Sequence, residues 1–138
     1  MIDFVDILKM MRDMVKGTVS DHVFLQDRPS SVEVSMDDFV VVSLPVQINE
    51  TEIGQDDEYG HYWTTARFEI FIRDKATASN PNAVSINAVN EKVKILKRLF
   101  PAKKNGILIQ KPKILIPSSS DGEGFHYTII QARLEYGI

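Results

Sequence analysis

The side chains here that could do chemistry are three histidines, a run of three serines, a Gly-x-Gly and dense sets of acids and bases. His22, His61 and His126 each lie in or beside an extended segment. None stands at the His-x-x-x-His separation that would bring two imidazoles to one metal. Ser118-Ser119-Ser120 lacks the Gly-x-Ser-x-Gly setting that exposes a nucleophilic hydroxyl at a strand-to-helix turn. Gly122 and Gly124 precede an extended segment, whereas a phosphate cradle needs a helix N-terminus after its glycines. Glu50, Glu52, Asp56, Asp57 and Glu58 crowd Asn49–Gly60 just ahead of His61, but without the alternating oxygen ligands and glycine of a calcium loop. That stretch reads as a solvated acidic loop. No catalytic residue, metal site or cofactor is expected, and the chain does not read as an enzyme. An enzyme built on His61 or His126 with carboxylates would need a pocket where those residues meet.

The bases are more concentrated. Lys92, Lys94, Lys97, Arg98, Lys103 and Lys104 gather at the end of a helical segment and in the turn beyond it, and with Lys111 and Lys113 they could offer phosphates a positive patch. Bases late in a helix also answer its dipole and keep an exposed face soluble. No aromatic residue interleaves with them, which weakens a single-strand-binding reading.

The elements that must position these groups follow from periodicity. Met1–Lys16 reads as a helix with Phe4, Ile7, Leu8, Met11, Met14 and Val15 on one face, stopped by Gly17. Met11 and Met14 read as core fillers. His22–Leu25 and Val32–Met36 are short strand candidates around the turn-prone Asp27–Ser31. Phe39–Ile48 is a stronger strand, apolar on both faces until Pro45. A long hairpin loop, Asn49–Gly60, then leads into His61–Arg73, where Ala66, Phe68, Ile70 and Ile72 alternate with Thr65, Arg67, Glu69, Phe71 and Arg73. Asn80-Pro81 starts a second helix along which Ile86, Val89, Val93, Leu96 and Phe100 share one side before Pro101. Ala102–Gly106 reads as a turn, Ile107–Ile116 as a strand bent or pinned to an edge by Pro112, Pro117–Gly124 as a flexible turn, and Phe125–Tyr136 as a final strand.

Separated helices among antiparallel hairpins predict an α+β fold. It should be a single domain with a mainly antiparallel sheet, two amphipathic helices packed on one face, and a long protruding hairpin. At 138 residues the chain is long enough for one core, and its 43% hydrophobic and 25% charged content is ordinary for a globular protein. With no cysteine it has no disulfide or thiolate site, and a net charge of −3 argues against the whole surface being a nucleic-acid footprint. Neither a signal peptide nor a membrane span is expected. The projecting hairpins offer surfaces to a neighbouring subunit. Trp63 and Phe71 are candidate anchors there, or members of a second small core.

This order of elements resembles the tail terminator, or tail-completion, proteins of long-tailed bacteriophages and prophages. The resemblance rests on the N-terminal helix, Arg28-Pro29 in a turn-rich segment, Asp38-Phe-Val-Val-Val-Ser43, the long loop, Ala66–Arg73, the helix Val84–Leu99 and Tyr127–Tyr136. It covers nearly the whole chain, so residues 1–138 are expected to form one such domain. It implies a structural virion-assembly protein, present in the host cytoplasm during assembly and then in the virion tail or neck. The implied homo-oligomer is a ring, commonly a hexamer, that caps the tail tube and joins it to the head. Its partners would be tail-tube and head-completion proteins, with DNA passing through without specific binding and no membrane involved. The acidic loop would line the channel or reach the next subunit. The alternative is a small nucleic-acid- or phosphate-binding module using the basic cluster.

Overall fold

Two strands form the centre of the sheet. β4 (His61–Arg73) and β7 (Phe125–Gly137) run antiparallel from His61 opposite Gly137 to Arg73 opposite Phe125, and the remaining strands are added on either side. On the β4 side lie β2 (Asp38–Ser43), β1 (Val23–Leu25, parallel to β2) and the two-residue β3 (Gln55–Asp56), which pairs with Tyr62 and His61. On the β7 side lie β6 (Ile107–Ser120) and then β5 (Ala102–Lys104). The order is β1-β2-β4-β7-β6-β5, antiparallel apart from β1, with β3 beside β4. This computed structural model describes residues 4–28, 36–44, 55–56, 61–74 and 81–137.

Alternation along β4 and β7 decides where the core sits. Ala66, Phe68, Ile70 and Ile72 share a buried layer with Ile130, Ala132, Leu134 and Tyr136, and Val40 and Val42 of β2 extend it. Both helices cover that face. α1 (Phe4–Val15) contributes Ile7, Leu8, Met11 and Val15, and α2 (Pro81–Lys97) contributes Val89, Val93 and Leu96. The α+β architecture with both helices on one face of a mainly antiparallel sheet is therefore as the sequence pattern predicts. α1 ends as expected: Gly17 takes φ 82°, and the Thr18 hydroxyl donates to the Val15 carbonyl at 3.0 Å.

Four details differ from the sequence reading. Ile86 does not face the sheet. At about 100° per residue the buried stripe of α2 centres on Ser85, Val89 and Leu96, which turns Ile86 to the flank at 39% exposure. Phe4, at the start of α1, keeps to the expected face, its ring meeting Tyr136 edge-on at 6.0 Å, but is 37% exposed instead of buried. The Ala102–Gly106 turn contains β5, and only Asn105 and Gly106 remain as the loop, both with positive φ as a two-residue hairpin turn requires. β6 runs on through Pro117 to Ser120, so the turn before β7 is confined to Asp121–Gly124. Of the expected Phe39–Ile48 strand, Asp38–Ser43 is strand. Pro45–Ile48, the Val32–Ser35 part of the second short strand and all of the acidic loop except β3 lie outside the described residues.

Leu96→Ala should lower unfolding free energy by about 2–5 kcal/mol, because it opens a cavity between α2 and the sheet. Ile86→Ala should cost no more than about 0.5 kcal/mol. Urea titrations of the two variants against the parent check both.

Candidate functional site

The face of the sheet opposite the helices carries the odd-numbered residues of β4 and β7, and it divides into an aromatic half and a polar half. In the aromatic half, Phe71 stacks on Phe39 (centroids 4.5 Å apart) and on Tyr127 (5.6 Å), and Phe39 meets Phe125 edge-on at 5.3 Å. Phe39, Val41, Phe71 and Phe125 form a second buried cluster, with Phe24, Met36 and Tyr127 packed around it. Phe71, a candidate interface anchor from the sequence, sits inside this cluster at 6% exposure.

Arg28 closes the cluster. Its guanidinium lies 5.5, 4.9 and 5.2 Å from the centroids of Phe39, Phe71 and Phe125, within the range where a cation is held by ring quadrupoles. It also donates to Asp121 Oδ2 at 2.8 Å. Asp121 in turn organises the β6–β7 turn, its Oδ1 accepting the N–H groups of Glu123 (2.7 Å) and Phe125 (3.0 Å). Burial raises the pKa of this carboxyl, but the Glu123 and Phe125 N–H groups and Arg28 outweigh it, so the net shift is below the ordinary 3.8. Arg73 adds a second cation over Phe125, at 4.8 Å, and donates to the Met36 carbonyl at 2.9 Å. The cluster thus joins the segment after β1 to the last turn of the chain.

The polar half holds an open groove of about 280 Å³ lined by Trp63, Thr65, Lys111, Lys113, Gln131 and Arg133 with Thr64 and Ala132. Trp63 is 39% exposed, and Arg133 lies 5.0 Å over its ring while pairing with Glu135 at 2.7 Å. Arg67 pairs with Glu69 at 3.2 Å alongside. The two lysines arrive through a bulge. From Gln110 to Lys113 β6 advances three residues while β7 advances two, from Arg133 to Gln131, and Lys111 takes φ 57° within it. This extra residue moves Lys113 onto the same face as Gln131. Two more register shifts follow before Ser119.

Of the basic residues expected to cluster at the end of α2, two are paired with acids. Lys92 approaches Asp38 (3.7 Å) and Lys94 pairs with Glu91 (3.1 Å), while Lys97, Arg98, Lys103 and Lys104 are exposed on the helix end and β5. Of the acidic candidates, Asp56 is placed in β3 by its backbone, and Glu50, Glu52, Asp57 and Glu58 lie outside the described residues. The histidines do not converge. His22 is exposed before β1, whereas buried His126 donates from Nδ1 to the Asp74 carboxylate. Among the described residues no three metal-ligating side chains come together, and no helix is long and apolar enough to cross a membrane. A second open pocket, of about 420 Å³, lies where Ser20 hydrogen-bonds Asp38, but these groups are spent pinning the end of α1 to β2 and α2. Sequence reasoning missed Arg28, Asp121 and Arg133 as site residues. Only Asp121, in Asp-Gly ahead of a strand, carried a local signal, that of a turn residue.

No protein-family model matches this sequence, and no curated protein matches it. Among solved structures, one whose name states no function is similar over 94% of this chain and 95% of its own, at 12% identity and a TM-score of 0.46. Another is the sheath/tube terminator of an extracellular contractile injection system, PVC, in its extended state. It is similar over 99% of this chain at 13% identity and a TM-score of 0.37, and the match takes in 57% of the terminator's length.

Asp121→Asn removes the charge that Arg28 and two N–H groups address, and should cost about 1–3 kcal/mol near neutral pH. Because the folded pKa is depressed, the stabilisation is present above the unfolded value near 3.8 and is lost as pH falls through the lower folded value. The gap between parent and variant in denaturant titrations should therefore hold constant from neutral pH to about 5 and narrow below 3.8.

Proposed function

We propose that this chain is a structural virion-assembly subunit whose copies close into a ring that caps a tail tube and joins it to a head. The observation that carries the reading is on β6. In a strand with one face on the core, one of two consecutive residues is buried. Ile114 and Leu115 are instead 46% and 47% exposed, next to a register shift, on a strand whose outer side from Gln110 to Ser120 has no paired strand among the described residues. Two adjacent large apolar side chains on an edge are an arrangement that subunit contact explains and an isolated monomer does not.

The manner of contact is limited by the same strand. Pro112 and Pro117 have no N–H to give, and three register shifts break the ladder, so β6 is a poor template for unlimited strand addition. Side chains have to make the contact. Different surfaces meeting head to tail close into a ring when the rotation per subunit allows it. The order of elements supports the terminator reading, and the acid-rich stretch Glu50–Glu58 and exposed Trp63 fit it as subunit-contact elements.

Sedimentation velocity over a wide concentration range tests this. The parent chain should form one closed oligomer, and Leu115→Lys should weaken association at least tenfold, about 1.4 kcal/mol per contact, while leaving circular dichroism and melting temperature near the parent's. A parent chain that stays monomeric at every concentration and also leaves purified tail tubes uncapped in electron micrographs would overturn the proposal.

A further inference from the structure

Resting on the self-association reading, we infer that the Trp63–Lys111–Lys113–Arg133 groove is the receiving surface for the acid-rich stretch Glu50–Glu58 of a second copy of this chain. Charge complementarity carries the inference. Residues 49–58 contain Glu50, Glu52, Asp56, Asp57 and Glu58 and no base. Arg133, which lines the groove, pairs with Glu135, and Arg67 pairs with Glu69 nearby on the same face, so among the described residues Lys111 and Lys113 supply the groove's unbalanced positive charge. Both lysines are exposed and lie on the part of β6 beyond its pairing with β5, whose outer side has no paired strand among the described residues.

The construction of the site supports a purpose beyond solubility. Lys111 holds a left-handed backbone that a non-glycine residue rarely adopts, and the bulge around it is what sets Lys113 beside Gln131. Gln131 and Thr65 supply amide and hydroxyl groups for a peptide's polar atoms, and Trp63 with Arg133 supplies a flat, partly exposed platform of the residue types that dominate interface energies. Two lysines suit a few discrete carboxylates. A nucleic-acid backbone would meet Glu69 and Glu135 on the same face, and a base would find Arg133 already over the Trp63 ring.

A second copy suits the placement of the stretch. Its anchors in its own subunit, Leu44 after β2 and Gln55 in β3, lie on the far side of β4 from β6. Trp63 follows Tyr62, the partner of Gln55, but Lys111 and Lys113 are separated from these anchors by β4 and β7, so the lysine side of the groove is displaced from the stretch as a head-to-tail contact requires.

The test uses the full chain and a labelled peptide of residues 47–60. Fluorescence anisotropy should show the peptide binding the chain, weakening with salt, falling about tenfold with Lys111→Gln/Lys113→Gln, and vanishing when its acids are replaced by Asn and Gln. An oligothymidylate that binds equally well would overturn the inference, as would a peptide indifferent to the lysine changes. In a mixture of ¹⁴N- and ¹⁵N-labelled copies, carbodiimide should join Lys111 or Lys113 of one isotope to an acid of the other. Same-isotope links alone would show that the stretch docks within its own chain, and would equally sink the inference. If the parent oligomerises while peptide and cross-links fail, this docking is wrong and the ring reading stands. If the peptide binds as described but the parent neither self-associates nor caps purified tail tubes, the ring reading fails instead.

Discussion

The unbroken pairing of β4 with β7 is the constraint on which the rest depends. Thirteen consecutive residue pairs fix which side chains face which way on both strands at once, and a slip of one residue would exchange the two faces entirely. Ala66, Phe68, Ile70 and Ile72 reach the helices only because Ile130, Ala132 and Leu134 are in step beside them. The same register sets Phe71 against Tyr127, and Thr65 against Arg133, on the other face. The core and the candidate site are two readings of one ladder.

The two faces are finished by different physics. Helices supply apolar stripes to the first, where burial of aliphatic side chains at roughly 25 cal/mol per Å² is the dominant gain. The second has no helix over it among the described residues. Its aromatic half is closed by Arg28 instead, whose flat guanidinium covers three rings while its edge reaches Asp121. A lysine there would keep the charge but lose the planar stacking and the fixed fork of donors. The polar half is closed by nothing comparable, and this leaves Trp63 and the lysines of the bulge open to a partner.

Much of the fold was legible because its signals are local. Period two in Ala66–Ile72, the stripe Val89–Val93–Leu96 and Gly17 after α1 each report on neighbours within a few residues, and each appears where expected. Ile86 misled because its spacing to Val89 is helical, yet a stripe has a centre and a flank, and only the position of the sheet tells them apart. The extension of β6 beyond Ile116, through Pro117 to Ser120, was hidden for the opposite reason. Prolines argue against a strand, and three register shifts accommodate them in a way that depends on β7 beside them. The site was the least legible part. Arg28 and Asp121 lie 93 residues apart, and no periodicity links them. The concentrated bases at the end of α2 drew attention by density, whereas Lys111 and Lys113 share a groove with Arg133 only because an extra residue shifts the register between them.

That extra residue bears on how an edge strand can be open to a partner without being open to every partner. A regular β6 would present evenly spaced N–H and C=O groups, and any extended chain could add to it. The bulges and prolines remove that general affinity and leave recognition to side chains, which can specify charge and shape. They also turn Lys113 to the groove face and leave Ile114 and Leu115 exposed beyond it, so the same irregularities that break the ladder also set which side chains this part of β6 presents. Straightening β6 would therefore be expected to strengthen its pairing with β7 and to expose an evenly spaced row of N–H and C=O groups to any extended chain.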